Sequence, residues 1–149
     1  MTSPNREDDV TAGFSERERA AMKQRAEELR AEGRGGKKKA DDYQDVLDAI
    51  AAMDDEDRVI AERLHSVISR VAPHLAPRTW YGFPAYADGK TVVCFFTSRE
   101  KGNTRYAVLG FNDIAQLDDG PMWPTSFAIT DWTPDVETRV EELLRTATS

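Results

Sequence analysis

Two sets of side chains in this sequence have types and spacings that could do chemistry, one acidic and one aromatic. Asp41, Asp45 and Asp48 stand at i, i+4 and i+7, and Asp54, Asp55, Glu56 and Asp57 follow closely. Carboxylate oxygens are the ligands that hard cations such as iron or calcium take. That makes Asp41, Asp45 and Asp48 the metal candidates. Helix chemistry explains the same residues, since acids complement the positive end of a helix, and no calcium-loop pattern is present. The aromatic set lies in TWYGFPAYADGKTVVCFF, residues 79–96. Trp80, Tyr81 and Tyr86, joined by Trp123 further on, are the ligand-binding candidates, because Tyr and Trp carry polar tips that must be satisfied or exposed. Phe83, Phe95 and Phe96 read as core.

Other chemistries lack their residues. His65 and His74 are the only histidines, and their spacing is neither a ligand pair nor a triad. His65 adjoins a buried helical stripe, His74 reads as solvated, and a lone base needs a partner that the sequence does not supply. Cys94, the only cysteine, sits in an apolar run and reads as a small buried hydrophobe. A single cysteine also excludes an internal disulfide and a cysteine zinc cluster. Gly33-Arg34-Gly35-Gly36 neither follows a strand nor opens a βαβ unit, so it is no phosphate loop. The sequence points to a binding protein rather than an enzyme.

The elements that must position these residues follow from periodicity. Residues 1–14 are polar and aperiodic and read as a disordered tail. Ser15, with Glu18 three residues later, forms a capping box that opens a helix over 15–32. Its apolar face is thin, Met22, Ala26 and Leu29, and suits docking or self-association more than a core. Residues 33–39 read as a flexible basic linker. A second helix over 41–52 buries Tyr43, Val46, Leu47 and Ile50. Asp54 caps a third, with Asp57 reaching back to the cap and Ile60, Leu64, Val67, Ile68 and Val71 facing inward.

The period then becomes extended. A strand over 80–87, an Asp88-Gly89 turn of type I′ and a strand over 90–97 make a hairpin. In a regular first strand, Tyr81, Phe83 and Ala85 share one face and Trp80 and Tyr86 the other. Pro84 places that strand at an edge or at a bulge. Val92 to Phe96 is continuously apolar, as in a central strand. A third strand over 104–111, a helical turn over 112–117, a strand over 126–131 and a closing helix capped by Thr133 complete the chain. The fold class is α+β, with an antiparallel sheet of about four to five strands packed by N-terminal helices and a closing C-terminal helix.

Bulk properties fit one domain with a polar N-terminal extension. The 149 residues carry a net charge of −7, with 40% hydrophobic residues, enough for one core. Charge is uneven: residues 14–40 hold nine Arg and Lys against five Glu, and residues 41–62 hold nine Asp and Glu against Arg58 alone. The basic helix is too rich in Glu, and too poor in interleaved aromatics, to read as a nucleic-acid surface. No apolar run approaches the roughly 20 residues of a membrane span, and no secretory signal is visible, so the expected location is cytoplasmic.

Thr79-Trp80-Tyr81-Gly82-Phe83-Pro84-Ala85-Tyr86, followed by Val92-Val93-Cys94-Phe95-Phe96, resembles the signature of the YdhG-like family. Leu117 to Pro124 and the closing helix are similar to its C-terminal half, and the resemblance covers residues 41–147. It implies a compact α+β domain over 41–149, with residues 15–40 as an added helix and linker. It also implies a non-enzymatic role, with frataxin-like intracellular iron chaperones among the described members. Iron is then the expected cargo, held by acidic-helix carboxylates and passed to an acceptor protein. The residue-level alternatives are a small-ligand or peptide-binding module using the aromatic hairpin, or a protein that self-associates through its N-terminal helix.

Overall fold

The computed structural model describes residues 13–149. Helix α1, Glu16–Ala31, opens as its sequence dictates. The Ser15 hydroxyl accepts from the Glu18 N–H, and the Glu18 carboxylate accepts from the Ser15 N–H. Helix α2, Arg34–Ala51, begins much earlier than its apolar stripe suggests. The expected linker over 33–39 is therefore corrected: from residue 34 onward it forms the first turns of α2, and the Lys37 N–H bonds the Gly33 carbonyl at 2.8 Å. The reason is packing. Gly36 is buried, and a Cβ there would run into the Leu29 carbonyl, so glycine lets α2 touch the end of α1. The buried stripe of α2 then runs through Ala40, Tyr43, Val46 and Ile50.

Helix α3, Asp55–Val71, buries Ile60, Leu64, Val67 and Ile68. Asp54 is its N-cap residue but makes no side-chain capping bond. Asp57 does not reach back either, because Arg99 engages its carboxylate from across the molecule. Pro73 follows the end of α3, and the chain turns directly into a strand that the sequence reading missed.

Five strands form one antiparallel meander in the order β1-β2-β3-β4-β5: Ala76–Trp80, Phe83–Asp88, Thr91–Thr97, Ala107–Phe111 and Ser126–Ile129. A short helix α4, Arg99–Gly102, lies between β3 and β4, and α5, Pro134–Ala147, closes the chain behind a Thr133 cap. The single strand expected over 80–87 is instead split. Trp80 pairs with Phe83 across a Tyr81-Gly82 turn whose residues both have positive φ, 51° and 81°. Two positive φ angles are what a type I′ hairpin turn demands. The next turn is centred one residue later than expected, with Asp88 paired to Thr91 and Gly89 at φ 63°.

Pro84 is not on an edge strand, since β2 lies between β1 and β3. The β2–β3 ladder begins only at Ala85, so the donor that proline lacks is not called on. Register then shifts between Tyr86 and Ala87, which face Cys94 and Val92, leaving Val93 as the extra residue of a bulge. That bulge sorts the apolar run of β3. Val93, Cys94 and Phe96 join the helix-side core, while Val92 and Phe95 face the other way.

All the helices that contribute to the core lie on one side of the sheet. Side chains of α2, α3 and α5 pack there with Tyr86, Cys94, Phe96, Leu109, Phe111 and Ile129. The opposite face carries a separate small cluster drawn only from β1, β2 and β3. Residues 112–117, expected as a helical turn, form turns instead. They carry Ala115 and Leu117 back into the core, and the Gln116 N–H bonds the Ala147 carbonyl. Helix α1 packs on its own chain, with Leu29 only 5% exposed and the Phe14 ring edge-on to His65. Gly13 and Phe14 therefore belong to the fold, while residues 1–12 of the expected tail lie outside the described residues. No helix of the described residues is long and apolar enough to cross a membrane.

Candidate functional site

The sheet face without helices carries the aromatic residues that the sequence singles out, but not all of them. The register of β1 and β2 puts Trp80 and Phe83 side by side on that face, with Ala85 and Phe95 paired beyond them. Trp80 meets Tyr81 at 5.0 Å, Phe95 at 5.3 Å and Phe83 at 5.8 Å between ring centroids. Phe83 and Phe95 are 5.5 Å apart. These are the separations of tilted and edge-to-face aromatic contacts. The ring of Phe95 lies over Gly110 of β4, where a Cβ would collide with it. Gly110 thus leaves room for the far end of the ring.

Tyr81 crowns this patch. It is 77% exposed, and its positive φ is a conformation that a non-glycine residue adopts only under constraint. Lys101 of α4 approaches Gly82 in the same turn, so a cation flanks the aromatic surface. Arg78, paired with Ala85, lies exposed on the same face.

Two of the four ligand-binding candidates, Tyr86 and Trp123, stand away from this face. Tyr86 faces the helices, is 1% exposed, and its hydroxyl lies 2.8 Å from Nδ1 of His65. Alternation along β2 is the cause: Tyr86 lies opposite Phe83 and Ala85 and shares a face with Pro77 and Cys94, while the split hairpin carries Trp80 away from it onto the Phe83 face. Trp123 is half-buried against the helix-side core, because the loop before β5 returns along that side. Phe83 and Phe95, read from sequence as core, are the residues that complete the open patch. Gly110 was the missing signal: a glycine in a strand marks close approach, and here the approach is that of a ring.

Behind Tyr86 lies a buried polar centre. The rings of Phe14, Tyr43 and Tyr86 all surround His65, with centroids within 5.8 Å. Burial pushes the imidazole down to about 4 against the weaker pull of Glu18, so His65 is neutral. Burial raises the Tyr43 hydroxyl to about 12, the Tyr86 hydroxyl well above its ordinary value, and the Cys94 thiol to about 12. None of these groups is poised to ionise near neutrality, which is the behaviour of a packed interior. His74, by contrast, is exposed at the end of α3.

The acidic candidates are spread over two places. Asp41, Asp45 and Asp48 are all exposed on α2. Asp41 is bound by Arg30 at 3.1 Å, and Asp48 accepts from the Gln44 amide at 2.9 Å. At the start of α3, a cavity of about 460 Å³ is lined by Met53, Asp54, Asp55, Glu56, Asp57 and Arg99. Arg99 binds Glu56 at 2.8 Å, the Thr130 carbonyl at 2.9 Å and Asp57 at 3.3 Å. Its own N–H donates to the second Asp57 oxygen at 2.8 Å. Among the described residues, no three His, Cys, Asp or Glu side chains gather in a group that could hold a metal ion.

In comparison with known proteins, the chain matches no protein-family model, no curated protein and no solved structure.

Proposed function

We propose that this chain is a non-enzymatic binding module that recognises an apolar or aromatic group, presented by a small ligand or a peptide, on the open face of its sheet. One observation carries the reading. Antiparallel sheets normally give their uncovered face to polar side chains, yet here that face gathers Trp80, Tyr81, Phe83 and Phe95. Tyr81 is exposed and Trp80, Phe83 and Phe95 are half-buried beside it, and an aromatic patch that no helix covers marks an interaction site. Tyr81 adds an argument of its own, since strain held at an exposed aromatic residue fits a recognition role better than a packing role.

The test is amide and indole NMR on the full chain, titrated with indole- and phenyl-bearing fragments and with short aromatic peptides. Shifts should concentrate on Trp80, Tyr81, Gly82, Phe95 and Gly110. Tyr81→Ala, which removes an exposed side chain, should weaken binding by about tenfold without unfolding the chain. Shifts scattered over the surface, or unchanged by Tyr81→Ala, would count against the reading.

The iron-chaperone role implied by the YdhG-like resemblance is the second reading, and the acidic cavity at the start of α3 is what favours it. Arg99 already offsets part of that charge. Anaerobic ferrous iron should then broaden residues 54–57, and Asp54→Asn, Asp55→Asn and Glu56→Gln together should abolish the effect. A flat titration would remove it.

A further inference from the structure

Far from the aromatic face, a groove of about 720 Å³ opens between α1, α2 and α3. It exists because α1 is fastened at its two ends and not in its middle. At one end Gly36 brings α2 against the Leu29 carbonyl. At the other, Arg63 of α3 binds Glu18 at 3.1 Å and donates to the Gly13 carbonyl at 3.0 Å. Between these anchors, Met22 and Ala26 of α1 and Leu47 of α2 stay half-buried, and Ala51 is exposed. All four line the groove. Leu47 is the one member of the apolar stripe of α2 that the core does not take in.

The charges on the groove walls are unevenly matched. Arg30 is satisfied by Asp41 at 3.1 Å, and Arg58 by Asp55 at 3.1 Å and Glu62 at 3.5 Å. Among the described residues, Arg19 and Lys23 make no salt bridge, although both line the groove. The acids of the lining are Glu27 and Glu62. Glu62 is 6% exposed and paired with Arg58, and burial raises its pKa against the pull of Arg58 and Arg19. Four cations, Arg19, Lys23, Arg30 and Arg58, line the groove against two acids, Glu27 and Glu62, and this excess of positive charge over an apolar floor is complementary to an amphipathic anion. The volume falls within the ~300–1,000 Å³ of small-molecule sites.

We infer that this groove binds an amphipathic anion, an alkyl or acyl chain bearing a single carboxylate. The chain lies along Met22, Ala26, Leu47 and Ala51, and the head sits at Arg19 and Lys23. The site stands apart from the sheet face and does not depend on it.

The experiment titrates dodecanoate, below its micelle concentration, into the full chain. Calorimetry and the Met22 methyl resonance report binding. Dodecyltrimethylammonium, with the same tail and a cationic head, is the control. Dodecanoate should saturate with a shift at Met22, and the cationic probe should bind at least tenfold more weakly, about 1.4 kcal/mol. Arg19→Glu with Lys23→Glu, both at exposed positions, should weaken dodecanoate by a similar factor while leaving the melting transition in place. Ala26→Trp, which fills the groove, should abolish the Met22 response. The inference is overturned if Met22 does not respond saturably, if the two head groups bind alike, or if the charge-reversed chain binds as the parent does. Shifts confined to Trp80 and Phe95 would overturn it too, since they would assign the alkyl chain to the sheet face.

Discussion

At the scale of single residues, His65 governs how the fold responds to acid. It is 1% exposed, and in the fold it takes up a proton only at about 4 rather than its ordinary 6.5. The folded value is the depressed one, so between these limits the unfolded chain binds the proton and the folded chain does not. The contribution is complete above 6.5 and is lost as the pH falls through that interval toward about 4. Stability measured by urea denaturation should fall across this window with a slope approaching ~1.4 kcal/mol per pH unit. In His65→Gln that slope should flatten; a parental slope in the variant would show that other groups carry it. Tyr86→Phe tests the same centre at constant pH. It leaves Nδ1 of His65 without its 2.8 Å partner, and Nε2 already has none among the described residues. The expected loss is ~1–3 kcal/mol. The sequence places His65 beside a buried stripe, but its partners come from three other segments: Phe14, Tyr43 and Tyr86. No local pattern around residue 65 announces them.

At the scale of elements, two adjacent glycines show where local reading fails. Gly35 and Gly36 stand together in a basic stretch, and composition alone makes them a linker. In α2 they are not equivalent. A Cβ at Gly35 meets nothing within 4 Å, whereas one at Gly36 strikes the Leu29 carbonyl. Gly35→Ala should therefore gain the ordinary helix preference of alanine, ~0.5–1 kcal/mol. Gly36→Ala should lose more than that gain, ~1–3 kcal/mol net, because backbone cannot step aside as a flexible side chain can. Denaturation midpoints of the two variants, moving in opposite directions, would check this; a shared stabilisation would mean that α1 and α2 are not in contact there. The hairpin teaches the same lesson from the other side. The Tyr81-Gly82 pair is a type I′ turn, but an unbroken aromatic run masks it, because tyrosine is not a residue that signals positive φ. Without that turn β1 disappears and Trp80 falls on the face opposite Phe83, whereas the structure sets the two side by side; Tyr86 lies opposite Phe83 and Ala85 in either case. The Ser15–Glu18 capping box, the Thr133 cap and the helical stripes, by contrast, are legible, since their signals lie within a few residues of each other; the box expected at Asp54 and Asp57 does not form, because Arg99 takes the Asp57 carboxylate from a distant segment.

At the scale of the whole molecule, α1 is a wall of the domain and not an arm attached to it. Arg63, buried on α3, ties three segments together. It donates to the Gly13 carbonyl, pairs with Glu18 of α1, and reaches Glu137 of α5 at 3.4 Å. Glu137 in turn accepts from the indole N–H of Trp132, which is 1% exposed. Glu18 answers to the same arrangement. Burial raises its carboxyl, but hydrogen bonds from Ser66 and the Ser15 backbone, with the charge of Arg63, outweigh that and hold it below the usual range. Removing one partner from a buried ionic junction is costly, because the others stay desolvated. Arg63→Ala should accordingly lose ~3–5 kcal/mol. Its distinctive mark should be loss of amide exchange protection in α1 and in the first turn of α5 together. Deleting residues 1–33 carries the argument further, because it strips the Phe14 ring from His65 and removes the rest of α1 with its buried Leu29. The imidazole would then regain water, and its titration followed by NMR should move from about 4 back toward 6.5. If the shortened chain keeps both its denaturation midpoint and the low His65 titration, α1 is an accessory after all. If both move together, the domain begins at Gly13.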